Sequence, residues 1–194
     1  RSYTYISTLG MLMEACIEHG KELVVLDRPN PLGGLKIEGN VVEEGYYSFV
    51  SQFRIPYVYG QTPGELALYL NATDYENKCK LHVVEMEGWR RDMTWDETGL
   101  EWIVASPLVP QVKSAVLYSV TGMFGGLGYV NIGVGYTLPF EIMGAPWIDA
   151  DSLATALNDL GLAGIEFRPI YFKPYYSVFK GELCEGVQIH ILDY

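Results

Sequence analysis

The sequence predicts an α/β fold, and three observations carry that reading. Residues 8–19 repeat apolar side chains at helical spacing and are followed directly by an apolar run at 22–27. A second helix, opened by a capping sequence at residues 62–65, leads into a strand-like run at 80–86. A third, at 151–160, precedes two strand-like runs near the C-terminus. A chain of 194 residues suits one large domain or two small ones, and its hydrophobic fraction of 49% can fill a core.

In the first helix Leu9, Leu12, Met13, Cys16 and Ile17 share a face, and Gly20 supplies a stop. The run from Glu22 to Asp27 is nearly continuous in apolar residues, the pattern of a parallel strand covered on both faces. Helix, tight turn and buried strand make half of a βαβ unit. A helix so near the start, with no strand before it and Arg1 where an initiator Met would stand, predicts that the chain begins partway into a domain. Residues 28–64 are rich in Pro and Gly without strong periodicity, as functional or interdomain segments often are. Thr62, Pro63 and Glu65 then form a capping box for a helix running to Asn71. Residues 87–112 carry Trp89, Trp95 and Trp102 among turns, and 113–118 read as a short strand or helix. Residues 121–136 hold six glycines and no charge, which reads as a glycine-rich loop. Asp151 and Ser152 cap the next helix, and Gly161 stops it. Residues 165–172 form a strand placed at an edge or bulged by Pro169, and 187–192 a closing strand.

The net charge of −11 makes nucleic acid a poor default partner, so none is expected, because phosphate backbones repel such a surface. Anionic membrane surfaces are disfavoured for the same reason. No apolar run reaches the length of a membrane span, and the first residues lack a signal-peptide pattern. Cys16, Cys79 and Cys184 are odd in number and far apart, so they form neither a disulfide framework nor a zinc site. His19, His82 and His190 show no ligand spacing, so no metal and no cofactor is expected. A cytoplasmic and a secreted setting both fit.

Four groups can carry chemistry. Asp27, Arg28 and Asn30 follow a strand on a loop stiffened by Pro29 and Pro31, where open α/β sheets bind ligands. Arg and Asn together suit sugar hydroxyls or a carboxylate, and a turn bonding its own backbone is the plainer alternative. Trp89, Arg90, Arg91 and Asp92 can stack on a sugar and hold an anion, or form an ion pair beside buried indoles. The glycine loop lacks the spacing of a phosphate cradle. Asp27, Glu65, Asp92 and Glu141 are the carboxylates available for glycoside hydrolysis, which needs two, although nothing in the sequence pairs them.

Several segments, in order along nearly the whole chain, resemble the NamZ family. They are Tyr3 to Leu9, Asp27 to Pro31, Gly60 to Glu65, Gly88 to Met93, Asp96 to Leu100, Pro139 to Glu141, Gly144 to Asp149, Phe167 to Pro169 and Gly186 to His190. The resemblance implies an exo-acting β-N-acetylmuramidase that removes terminal N-acetylmuramic acid from peptidoglycan fragments during cell-wall recycling. It implies the tail of a Rossmann-like domain at residues 1–62 and a smaller α/β (α+β) C-terminal domain at 63–194, with the site between them. It also implies substrate contacts at Arg1, Asp27, Arg28, Asn30, Arg90, Asp92 and Glu141. The family's favoured catalytic Glu sits in an upstream Pro-Glu-His-Gly motif, so the resemblance leaves the catalytic residue unassigned here and implies a fragment inactive alone. The chain departs from the family pattern at Leu108, Ile132, Val134 and Leu138, where polar groups are usual. Three readings follow: a glycosidase acting on a muramyl sugar, a non-catalytic relative binding a glycan or protein through the apolar stretch 130–138, and a subunit whose N-terminal half comes from a partner chain.

Overall fold

The computed structural model describes residues 4–192. The fold is mixed α/β, with one parallel and one antiparallel sheet. It divides into two compact units, Arg1–Glu101 and Trp102–Tyr194.

In the first unit, helix α1 (Tyr5–Glu18) leads into strand β1 (Glu22–Leu26). Helix α2 (Pro63–Thr73) crosses to strand β2 (Lys80–Val84), which pairs in parallel with β1. Met13 of α1 and Leu66, Ala67 and Leu70 of α2 are buried together with Phe53, Ile55 and Cys79; Leu23, Val25 and Leu81 pack against them. The sequence suggests a β1 covered on both faces, but its exposure alternates, with Val24 53% and Leu26 71% exposed. Both helices cover the Leu23 and Val25 face, so alternate side chains turn outward. Leu12 also lies off the buried stripe, which runs through Ile6, Leu9, Met13, Cys16 and Ile17.

Residues 28–62 contain only isolated bridges, Glu38 with Val58 and Ser48 with Ser51. The segment is nonetheless anchored, because Phe53 and Ile55 enter the core. β2 completes the βαβ unit with β1 and α2, so the first unit extends to Glu101.

The second unit opens with helix α3 (Val112–Gly125). The first five residues of the expected glycine loop at 121–136 are therefore helical. Gly125 lies on α3 where a Cβ would come 2.4 Å from Ile132 Cδ1, so a small residue lets the following segment pack against the helix. Strands β3 (Ile142–Ala145), β4 (Ile165–Phe172) and β5 (Cys184–Ile191) form an antiparallel sheet in the order β3-β5-β4. Pro169 sits on the edge strand β4, where its missing N–H breaks no ladder on the open side. Helix α4 (Ala150–Asn158) packs against β4 and β5. Its cap is Asp149, whose Oδ1 accepts from Ser152 N at 2.8 Å, and not the Asp151 and Ser152 pair. Ile142, Ile170, Phe172 and Cys184 are buried on the sheet with Tyr136 and Leu138 over them. Ile132 is 6% exposed against α3 and Val134 is half-buried, so with Tyr136 and Leu138 on the sheet core the apolar side chains of this stretch are largely covered.

Gly186 on the central strand has no room for a side chain: a Cβ there would fall 1.9 Å from Met143 O. We expect Gly186→Ala to lower stability by about 3 kcal/mol through overpacking, read as a fall in the urea midpoint. An unchanged midpoint would show that β3 and β5 do not approach this closely. Tyr75 gives a pH prediction. Burial, and next the nearby Glu14, push its phenol up to about 12, and its hydroxyl donates to Gly10 O at 3.1 Å. The unfolded chain releases this proton near 10, before the folded one does. The contribution is therefore complete below pH 10 and is lost as pH rises towards 12. Tyr75→Phe should remove that part of the alkaline slope in denaturant titrations.

Candidate functional site

Parallel strands aim their carboxyl ends the same way, and the first unit has a cavity of about 390 Å³ there. Asp27, Arg28 and Pro29 line it from the end of β1; Met86, Glu87, Gly88 and Trp89 line it from the end of β2. Met93, Thr98 and Leu100 complete the wall.

Asp27 is fully engaged by its own unit. Its Oδ1 accepts from Arg28 N at 2.9 Å and Gly64 N at 2.7 Å, and its Oδ2 accepts from Thr62 Oγ1 at 2.8 Å. It thus binds the first turn of α2, where free N–H groups and the helix dipole favour a carboxylate. Gly64 permits this approach, since a Cβ there would lie 2.6 Å from Val83 Cγ1 and 2.8 Å from Asp27 Cγ. Thr62 Oγ1 accepts from Glu65 N at 3.2 Å while Glu65 Oε2 accepts from Thr62 N at 3.0 Å, the expected capping box. Glu65 Oε1 accepts from Arg91, whose guanidinium also donates to Gly34 O at 3.2 Å and Gly60 O at 2.9 Å. The same guanidinium lies 5.8 Å from the Trp89 ring centroid. Arg91, which the sequence reading places only in an ion pair or a stack, ties the α2 cap to the long loop.

The other expected site residues fall in different settings. Asn30 braces its loop: Nδ2 donates to Gln61 O at 3.1 Å and Oδ1 accepts from Leu32 N at 3.0 Å. Arg90 and Asp92 form an exposed pair at 3.3 Å. Arg28 is exposed, and among the described residues its guanidinium has no ion pair. Arg1 lies outside the described residues. Glu141 belongs to the second unit and its side chain is 3% exposed. It accepts from Gln111 Nε2 and, at 3.4 Å, from Ser114 Oγ, and it pairs with Lys113 Nζ at 3.2 Å. The preceding Phe140 has φ 68°, costly for an aromatic residue. Its N–H bonded to Ile132 O at 2.7 Å and its ring edge-on to Tyr118 at 4.6 Å hold that conformation.

Of the four candidate carboxylates, Asp27, Glu65 and Glu141 thus have donors on both oxygens, and Asp92 is paired. His19 caps the C-terminus of α1, His82 lies on β2 and His190 on β5. Among the described residues no group of three or more His, Cys, Asp or Glu is placed to hold a metal ion. The sequence reading missed Met86, Glu87, Thr98 and Leu100. The rule that singles out the residues after 22–27 also reaches the first two when applied after 80–84.

Parallel strands with a cavity beyond their carboxyl ends, lined by Arg28 and Trp89 among others, define an α/β protein with a candidate site at that sheet end. The chain belongs to the NamZ family. The family model described as exo-beta-N-acetylmuramidase NamZ, N-terminal, matches residues 1–113, and its C-terminal counterpart matches 116–194. The chain is 44% identical over 193 residues to peptidoglycan beta-N-acetylmuramidase NamZ of Bacillus subtilis (strain 168), covering 100% of this chain and 46% of that protein. Two crystal structures of DUF1343 family proteins from Bacteroides fragilis NCTC 9343 are similar. One has a TM-score of 0.94 and 59% identity, covering 100% of this chain and 50% of its own. The other has 0.76 and 28%, covering 97% and 49%. The chain therefore spans about half the length of the relatives it matches.

Removing the Asp27 side chain strands the donors of Thr62, Gly64 and Arg28. We expect Asp27→Ala to lower stability by about 2–4 kcal/mol, since bonds to charged groups are worth more than neutral ones. Asp27→Asn should lose much less, because its oxygen still accepts the two amides and its NH₂ can donate to Thr62 Oγ1. Urea titration of the pair checks this, and equal midpoints for Asp27→Ala and wild type would rule the anchor out.

Proposed function

We propose that this chain is part of a glycoside hydrolase that releases terminal N-acetylmuramic acid from peptidoglycan fragments, and that the cavity at the ends of β1 and β2 receives the sugar. The observation that carries the reading is that cavity, in a chain whose B. subtilis relative is named a peptidoglycan beta-N-acetylmuramidase. Its wall combines an indole, two thioethers and aliphatic groups with Arg28 and Glu87, the mixture of apolar faces and directional polar groups that sugars require. Arg90 and Asp92 are exposed a few residues beyond Trp89 and serve at the rim. Asp27 and Asn30 act by holding the loop that presents Arg28. Glu141 supports α3, and Arg1 enters through its motif alone. Asp27 and Glu65 are committed to the scaffold, so the acid and base of the cleavage are not assigned to them.

The protein carrying this chain should release 4-nitrophenol from 4-nitrophenyl N-acetyl-β-muramide and leave the corresponding N-acetylglucosaminide intact. Saturable binding of the muramide with no release would favour a non-catalytic glycan-binding relative. No binding and no release would overturn both.

A further inference from the structure

We propose that Arg28 is the specificity residue of this cavity, the group that takes the carboxylate of the bound amino sugar, and that Asp27 is a positioning residue that never touches the ligand. The inference rests on the sugar-binding reading above.

Among the described residues Arg28, Arg90 and Arg91 lie in the segments that follow β1 and β2, and two of them are occupied. Arg91 is held by Glu65 and two backbone carbonyls, and Arg90 is paired with Asp92. Arg28 lines the cavity and has no ion pair among the described residues. Its natural counterion would be the adjacent Asp27. That carboxylate instead turns toward the first turn of α2 and accepts the backbone N–H of Arg28 itself. The arrangement fixes the backbone from which Arg28 departs, with Pro29 restricting the next residue, and leaves the guanidinium free.

Apolar side chains make up much of the wall near it, and a guanidinium there offers a carboxylate a charge-assisted bond. Glu87 is the other unpaired charged side chain lining the cavity among the described residues, and it does not ion-pair with Arg28. A ligand bearing one carboxylate is thereby oriented: its carboxylate goes to Arg28, away from Glu87, and its hydroxyl or amide donors go to Glu87. Guanidinium suits this task because its planar fork matches a carboxylate in two parallel bonds. N-acetylmuramic acid differs from N-acetylglucosamine by an ether-linked lactyl group ending in such a carboxylate.

Calorimetric titration with N-acetylmuramic acid and its methyl ester tests the assignment. Wild type should bind the acid at least about tenfold more tightly than the ester, the scale of a charge-assisted pair. Arg28→Gln should abolish that preference by weakening the acid alone, and Arg28→Lys should restore part of it. Asp27→Ala should reduce the preference and Asp27→Asn should rescue it, which a ligand-contacting carboxylate would not allow. Circular dichroism confirms that each variant is folded. Arg28→Gln keeping the preference, or losing acid and ester alike, would overturn the proposal. Wild type binding acid and ester equally would overturn this inference while leaving the sugar-binding reading intact. Wild type binding neither would overturn that reading itself.

Discussion

The carboxylate of Asp27 at the first turn of α2 is the contact on which the first unit depends. A strand end, a helix start and a long irregular segment meet there, and each brings backbone groups that need partners. Asp27 satisfies Gly64 and Arg28, the Thr62 and Glu65 capping box satisfies its own pair, and Arg91 extends the network to Gly34 and Gly60. The parallel pair β1 and β2 has few residues and one uncovered face, so this network complements a modest core in fixing the strand ends. Asp27, one of the residues lining the cavity, is thereby bonded to the scaffold around it.

The second unit solves the same problem in a similar way. Helix α3 has no acidic residue in its own first turn. Glu141, just ahead of β3, supplies the acid from elsewhere in the chain and gathers Gln111, Lys113 and Ser114 at the helix start. In both units a carboxylate beside a strand seats the first turn of a helix. The partners differ, since Asp27 accepts the Gly64 N–H whereas Glu141 accepts only side-chain donors, but in both the helix dipole favours negative charge there. The strained φ of Phe140 is held by the bond from its N–H to Ile132 O and by its ring against Tyr118, directly before the buried Glu141.

Much of this architecture was legible in the sequence, and what was hidden has physical causes. Residues that act locally were readable: Thr62, Pro63 and Glu65 announce their helix, and Pro169 announces an edge strand. The helical character of 121–125 was hidden, because glycine lowers helix propensity and the reason for Gly125 is the close packing of Ile132. β3 was hidden because four residues carry too little pattern to separate a strand from a turn. At the site, residue types pointed to Asp27, Arg28 and Asn30 together. Sequence spacing cannot show that the first and last spend their polar atoms on the scaffold while the middle one is left open.

That division of labour bears on how the family can diversify. Asp27, Thr62, Glu65 and Arg91 share partners, so changes among them are coupled, and the effect of altering two will not be the sum of altering each. Arg28 shares only its main-chain amide with the set. Its side chain can be exchanged without disturbing the frame that carries it. The lining of this cavity is therefore open to change one substitution at a time, while the frame beneath it can drift only through correlated replacements.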